Sequence, residues 1–283
     1  MEQNNSGDGR KRRWFEILEP ISFRSQVVLS IAAIVTFLGG YAILSYGSVI
    51  EQPEIFAPSF GKILSAGYEM AKDGTLWKDL WASLWRTGAG FLVAVALAAP
   101  LGICMGAFAA ANSYGGLMIN IIRPVPPVAM LSLIIAYVGI GDISKILLIF
   151  IAVFFDLAPK ITMEVASTPK RLVDDVYTLG ASRLQTVFFA LIPLNLPGIF
   201  RQIRDSMPIA WAYLVISELL ASNAGLGFRI VKSQRFLKID RILFILVLIG
   251  LLVVTFNWIL KTLTNKLFPW DPVVIAETSE AKH

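Results

Sequence analysis

The sequence predicts an all-α integral membrane protein with about six transmembrane helices. Of 283 residues, 56% are hydrophobic and only 16% charged, where soluble domains carry about 25% charged residues. Mean hydropathy is +0.67. Four stretches carry no charge at all: Ser25 to Ile50, Thr87 to Ile122, Pro124 to Gly141 and Ile242 to Leu260. A bilayer core takes roughly 20 apolar residues per helix, so each run accommodates a span. The longest, Thr87 to Ile122, holds one helix, a turn and the start of another. The net charge of +5 is read as topology signals and contact with anionic lipid headgroups, not as a nucleic-acid surface.

The chain opens on a polar stretch with the basic block Arg10-Lys11-Arg12-Arg13. The apolar run after it is too long for a signal peptide and has no small-residue cleavage site. It is therefore a retained first span, about Val27 to Tyr46, with a cytoplasmic N-terminus. From Glu51 to Leu84 the pattern is amphipathic. Phe60, Ile63, Leu64 and Tyr68 recur at helical spacing, as do Leu76, Leu80 and Leu84, which predicts surface helices outside. The second span runs about Trp85 to Phe108, with Gly88, Gly90, Gly102 and Gly106 permitting close helix approach. Ala111-Asn112-Ser113 before Gly115 and Gly116 is the predicted turn.

The third span, about Gly115 to Val138, is interrupted at Arg123-Pro124-Val125-Pro126-Pro127, because prolines cannot continue a regular helix. Such a break is tolerated in a membrane only against protein or a wet cavity. Gly139 to Lys145 is a short outer loop, and the fourth span runs about Ile146 to Val165. A polar segment, Val173 to Ile199, carries one glycine and ends in two prolines. The fifth span is about Ser206 to Ala221, Ser222 to Asp240 is outside, and the sixth span is about Ile242 to Leu263. Fourteen Lys/Arg fall on the side of the termini and ten on the other, with Arg123 inside a span. The bias agrees with a cytoplasmic N-terminus.

Catalytic chemistry has little to work with. One cysteine, Cys104, lies in an apolar run, and the single histidine, His283, is the last residue, so no disulfide, cysteine metal site or histidine centre is expected. Gly61-Lys62 lacks the earlier glycine of a phosphate-binding loop. Gly139-Ile140-Gly141 and Gly225-Leu226-Gly227 lack a third glycine and read as turns.

Pro169 to Pro197 resembles the "EAA" loop of bacterial ABC-importer permeases. Asp174-Asp175-Val176 takes the place of the EAA triplet, Gly180 is the glycine, Ala190 takes the isoleucine place, and Ile192-Pro193 stands for L-P. Thr178-Leu179-Gly180-Ala181-Ser182-Arg183 matches the commonest form. The departures are the acidic second position and the small Ala190. Arg123 to Phe155, Ala210-Trp211, Glu218-Leu219-Leu220, Gly225 to Phe228 and Phe268-Pro269-Trp270 are similar to the taurine, alkanesulfonate, nitrate and bicarbonate group.

The resemblance implies a type I importer permease fold in the bacterial inner membrane. It divides the chain into a cytoplasmic segment 1–26, a transmembrane domain 27–263 with a cytoplasmic coupling loop 166–200, and a cytoplasmic tail 264–283. It implies as partners two ATPase subunits, an external solute-binding protein and a second permease subunit, commonly identical. ATP and Mg would be bound by the partner ATPase, with no cofactor in this chain. Asp174, Asp175, Thr178, Gly180, Ala181, Ser182 and Arg183 are the expected coupling residues, with the acids at a helix start where the dipole favours them.

Intramembrane charges and aromatics supply the candidate pathway residues Arg123, Asp156, Trp211 and Glu218. Each has two readings. Glu218 is a gating group or a structural hydrogen-bond acceptor. Arg123 binds an oxyanion through its forked donors or anchors to headgroups. Asp156, with Lys160 and Glu164 at i+4 spacing, forms a polar pathway or a self-neutralising stripe. Trp211 and Tyr213 stack on substrate or pack. The alternative function is a secondary transporter driven by protons or sodium, with Asp156 and Glu218 as coupling groups. Such proteins often carry internal repeats, and no clear repeat is visible.

Overall fold

A helix that is apolar on every side is a lipid-facing span, and α1 (Phe23–Tyr46) is of that kind. The computed structural model describes residues 23–46, 57–272 and 275. The basic block Arg10–Arg13 and half of the tail 264–283 lie outside the described residues. α1 is tied to the next element by Tyr41, which donates to the Pro58 carbonyl at 2.6 Å and packs on Phe60 at 5.2 Å.

α2 (Phe60–Lys72) buries Ala66, Gly67 and Met70. A side chain at Gly67 would enter the Phe244 ring. Gly74, with φ of 78°, turns the chain into α3. At that turn the Thr75 hydroxyl and N–H both donate to Asp73, at 2.5 and 2.9 Å, and hold its carboxyl below the usual carboxylate pKa.

α3 (Thr75–Ala107) is one helix of 33 residues. The expected surface helix over Leu76 to Leu84 and the second span are thus continuous. No Gly or Pro separates them, and the polar residues Asp79, Ser83, Arg86 and Thr87 are buried. α3 packs along α6 (Asp142–Ala166) through a small-residue stripe. A Cβ on Gly90, Gly102 or Gly106 would lie 2.6–2.8 Å from Ile149, Ile161 or Val165 Cβ, while Gly88 faces open space. Overpacking such a contact costs about 1–3 kcal/mol. Gly102→Leu is therefore expected to lower the melting temperature in detergent, and Gly88→Leu to leave it nearly unchanged.

The break after α3 falls at Phe108, in extended backbone (φ −124°, ψ 116°), not at Ala111–Ser113. There the chain forms α4 (Ala109–Ile122), with a π-turn at Asn112–Gly116. Gly115 and Gly116 serve crowding instead of a turn, since a Cβ on them would lie 2.8 Å from the Met105 sulfur and 2.7 Å from Asn112 Oδ1. The proline run does break the span, and α5 (Pro127–Val138) leaves α4 at 90°. Gly139 (φ 78°) ends α5, and only Gly139–Gly141 is loop before α6.

α7 (Lys170–Thr178) and α8 (Arg183–Leu220) follow. α8 absorbs Pro193, Pro197 and Pro208, so the fifth span begins at Arg183 instead of Ser206. A π-turn at Val187–Leu191 precedes Pro193, which sits in the first turn of the regular helix. There its missing N–H costs nothing. α9 (Leu226–Arg235) is a short helix in the segment 222–240 expected to lie outside, and α10 (Ile239–Leu267) is the final span. Gly141 and Gly225, read as plain turns, each cap a helix. The tail does not simply begin at Thr264. Thr264, Phe268 and Asp271 are buried, and Phe268 packs on Phe200 of α8.

Among the described residues every regular element is helical. α3, α6, α8 and α10 are each long and apolar enough to cross a membrane, and the bent α4–α5 pair makes a fifth span if taken as one. α1 contributes the shorter apolar run Val27–Ile43.

Candidate functional site

The corner between α7 and α8 gathers all seven expected coupling residues. Gly180 has φ of 85°, the left-handed conformation that glycine adopts without penalty. Its N–H donates to the Tyr177 carbonyl at 2.9 Å, and the Ala181 N–H to Val176 at 3.4 Å. This double closure is a Schellman-type helix end. Ser182 then opens α8 with a capping box. Its N–H donates to Gln185 Oε1 at 2.8 Å, and its Oγ accepts from the Gln185 N–H at 3.4 Å. Both sides of the corner are therefore pinned, and Gly180 is the one residue between them with a left-handed φ.

Asp174 and Asp175 do not sit at the start of α7. The helix begins at Lys170, and both acids lie in its middle, exposed, so the dipole argument for them does not apply. The Thr178 hydroxyl donates to the Asp175 carbonyl at 2.7 Å. Leu172, Tyr177, Leu179, Leu184, Phe188 and Phe189 are large apolar residues exposed around this corner. Beneath it lies a cavity of about 560 Å³. Its walls come from the ends of α3 and α6, from α7 and from the start of α8, with Lys170, Tyr177 and Arg183 among its lining.

No hydrogen bond or ion pair joins any two of the four expected pathway residues. Arg123 is exposed at the 90° bend after α4. Asp156, on α6, accepts from Lys160 Nζ at 2.5 Å and from the Ser206 hydroxyl of α8 at 2.8 Å. Glu164 continues that face but pairs across to α8, accepting from Gln202 Nε2 at 3.1 Å and lying 3.8 Å from Arg201. Arg201 also pairs with Asp271. The stripe is thus partnered at each position along the α6–α8 contact. Trp211 is buried and packs on Phe256 with ring centroids 6.0 Å apart, and its indole N–H meets no acceptor among the described residues.

Glu218 is the centre of a buried polar cluster at the opposite end of the bundle. It accepts from Arg86 Nη1 at 2.6 Å, from Ser83 Oγ at 2.9 Å and from the Gly227 N–H at 2.9 Å. Arg86 also donates from Nε to Asp142 at 2.9 Å and from Nη1 to the Ala224 carbonyl at 2.6 Å. Asp79 accepts from the Gly225 N–H at 2.9 Å and pairs with Arg229 at 2.6 Å, while Ser83 Oγ accepts from the Leu226 N–H at 2.9 Å. The N–H groups of Gly225, Leu226 and Gly227 at the start of α9 are therefore met by side chains, two of them acidic, as the helix dipole favours. The geometry uses Glu218 as a structural acceptor, with its side chain fully enclosed.

Sequence reading missed Asp79, Ser83, Arg86 and Arg229. The first three recur at i, i+4 and i+7, one helical face, which was the available signal. Gly225 has φ of 124°, and a Cβ there would strike the Glu218 carboxylate. Gly225→Ala is expected to destabilise the chain by several kcal/mol through strain and a displaced buried charge, read as loss of monodisperse protein in detergent.

Residues 98–270 match the family described as binding-protein-dependent transport system inner membrane component. The chain is 33% identical to the taurine transport system permease protein TauC of Escherichia coli, over 92% of this chain and 93% of that protein. It is 26% identical to the nitrate import permease protein NrtB of Synechocystis, over 82% and 86%. Its fold is similar to an inward-facing structure of the MetNI methionine ABC transporter, with TM-score 0.63, 18% identity, and 69% and 97% of the two chains covered.

Proposed function

The chain belongs to the family of binding-protein-dependent transport system inner membrane components, and from that premise we propose how it works and what it carries. It forms the transmembrane pathway of an ATP-driven importer, with a second permease subunit, commonly an identical copy. Separate ATPase subunits dock on the α7–α8 corner, and an external binding protein delivers solute at the Glu218 end. The N-terminus lies on the ATPase side.

The observation that carries this reading is the corner itself. Gly180 and the Ser182 capping box hold α7 rigidly to α8, and the exposed apolar residues around it form a surface suited to a protein partner. A push on α7 travels into α8, which reaches from the corner to Glu218. Along the way α8 meets α6 at the Asp156–Lys160–Ser206 contact.

The solute is a small anion or zwitterion. TauC and NrtB are named for taurine and nitrate, and Asp156 with Lys160 offers one charge of each sign. Uptake into proteoliposomes holding the chain, its ATPase and its binding protein tests the reading. Taurine uptake that requires internal ATP supports it; uptake without ATP or the ATPase contradicts it. Lys160→Met is expected to raise KM for the solute about tenfold or more, the size of a lost charge-assisted hydrogen bond, with little change in ATPase binding.

A further inference from the structure

The end of the bundle away from the α7–α8 corner carries a basic pocket whose lining includes none of the four expected pathway residues. Residues 229–241 contain five Lys/Arg and one acid, Asp240. Arg229, Lys232, Ser233, Phe236, Lys238 and Arg241 line a cavity of about 200 Å³. Two of these cations are held in place from behind. Asp79 pairs with Arg229 at 2.6 Å, and Glu69 with Arg241 at 3.1 Å. Lys232 and Lys238 are exposed and have no acidic partner among the described residues. The pocket therefore presents four cations against two carboxylates.

Its place in the fold selects the ligand. α10 starts at Ile239, directly beside the pocket, and further along it exposes Leu246, Val247, Leu251 and Val254. Lipid that covers this face has its headgroup toward the Lys238 and Arg241 end of α10. The backbone turn between α9 and α10 points the same way. Ser233 O accepts from the N–H groups of Phe236 and Lys238, at 3.2 and 3.0 Å, and Leu237 is held at φ of 52°. That is a left-handed conformation disfavoured for leucine. The turn displays Phe236 and Leu237 side by side, each 67% exposed. Apolar tips beside a basic cluster are the arrangement of interfacial membrane anchors.

We propose that this pocket binds the phosphate of an anionic phospholipid, with Phe236 and Leu237 seated among the acyl chains. The site is independent of substrate and of ATPase docking. Lys232 and Lys238 supply charge, while Arg229 and Arg241 supply oriented donors.

The full chain is reconstituted into phosphatidylcholine vesicles with or without phosphatidylglycerol and re-extracted, and retained lipid is measured by native mass spectrometry. Wild type is expected to retain phosphatidylglycerol over phosphatidylcholine. Lys232→Gln with Lys238→Gln is expected to cut that retention roughly fivefold per cation, on the order of 25-fold for the pair. Leu237→Gly keeps the charges and relieves the left-handed strain, so it folds and still retains less lipid. Equal retention of both lipids by wild type, or unchanged retention in either variant, overturns the proposal. Displacement of phosphatidylglycerol by millimolar inorganic phosphate or methanesulfonate assigns the pocket to a free oxyanion and overturns the lipid.

Discussion

Replacing Gly180 with valine is expected to abolish ATP-driven uptake while the chain still inserts and folds. Gly180 sits at φ of 85°, and a Cβ there meets nothing within 4 Å. The penalty is therefore backbone strain, not collision. A non-glycine residue in this region pays roughly 1–2 kcal/mol, and a β-branched one pays more because its side chain crowds the following carbonyl. The corner relieves that strain by unwinding the last turn of α7 or shifting the Ser182 cap, and either movement displaces Asp174 and Asp175 relative to Arg183 and the rest of α8. A penalty of that size weakens ATPase association about 5- to 30-fold. Asparagine tolerates the left-handed region better than other residues, so Gly180→Asn is expected to retain substantial activity. Co-sedimentation of the ATPase with vesicles of each variant gives the order glycine, asparagine, alanine, valine. Full binding by the valine variant would show that the left-handed corner is not needed for docking.

Arg86→Ala is expected to be the most destabilising single change in the buried cluster, at about 3–5 kcal/mol. Glu218 would keep its hydrogen bonds from Ser83 and Gly227 but lose its only ion-pair partner among the described residues, with a side chain that has no exposure. Asp142 and the Ala224 carbonyl would lose donors as well. Removing both charges avoids the unpaired carboxylate, because an apolar pair of similar volume is often close to neutral. Arg86→Met with Glu218→Leu is therefore expected to recover a large part of the loss, and Glu218→Gln to cost less than Arg86→Ala. Thermal unfolding in detergent checks the series. A double variant as unstable as the sum of its single changes would mean that the two residues act separately.

Much of the architecture was legible because a membrane enforces it. Charge-free runs of about 20 residues point to spans, and the prolines after Arg123 do bend the chain by 90°. Glycine was harder to read. Gly115 and Gly116 looked like a turn but relieve crowding in a π-turn, whereas Gly180 and Gly225 do carry left-handed or similarly restricted backbone. A sequence does not distinguish close approach from positive φ. The prolines of α8 misled for a related reason, since a π-turn and a first-turn position absorb what would stop an ordinary helix. Asp79, Ser83 and Arg86 went unnoticed because the apolar residues Leu76, Leu80 and Leu84 alone set the reading of that stretch. Their burial depends on α9, a ten-residue helix whose first N–H groups need acceptors. That need becomes visible only once the distant segments meet.

The seven residues that the resemblance marks for coupling occupy one corner, and the acids lie mid-helix instead of at its start. Their exposure leaves them available to a partner. The central claim is that this corner docks a separate ATPase. Purification of the tagged chain in mild detergent, with mass spectrometry of what accompanies it, tests that claim most directly. The expected result is an ATPase subunit that co-purifies with wild type and is lost with Gly180→Val. A chain that purifies alone, yet moves solute in vesicles without ATP, would contradict it.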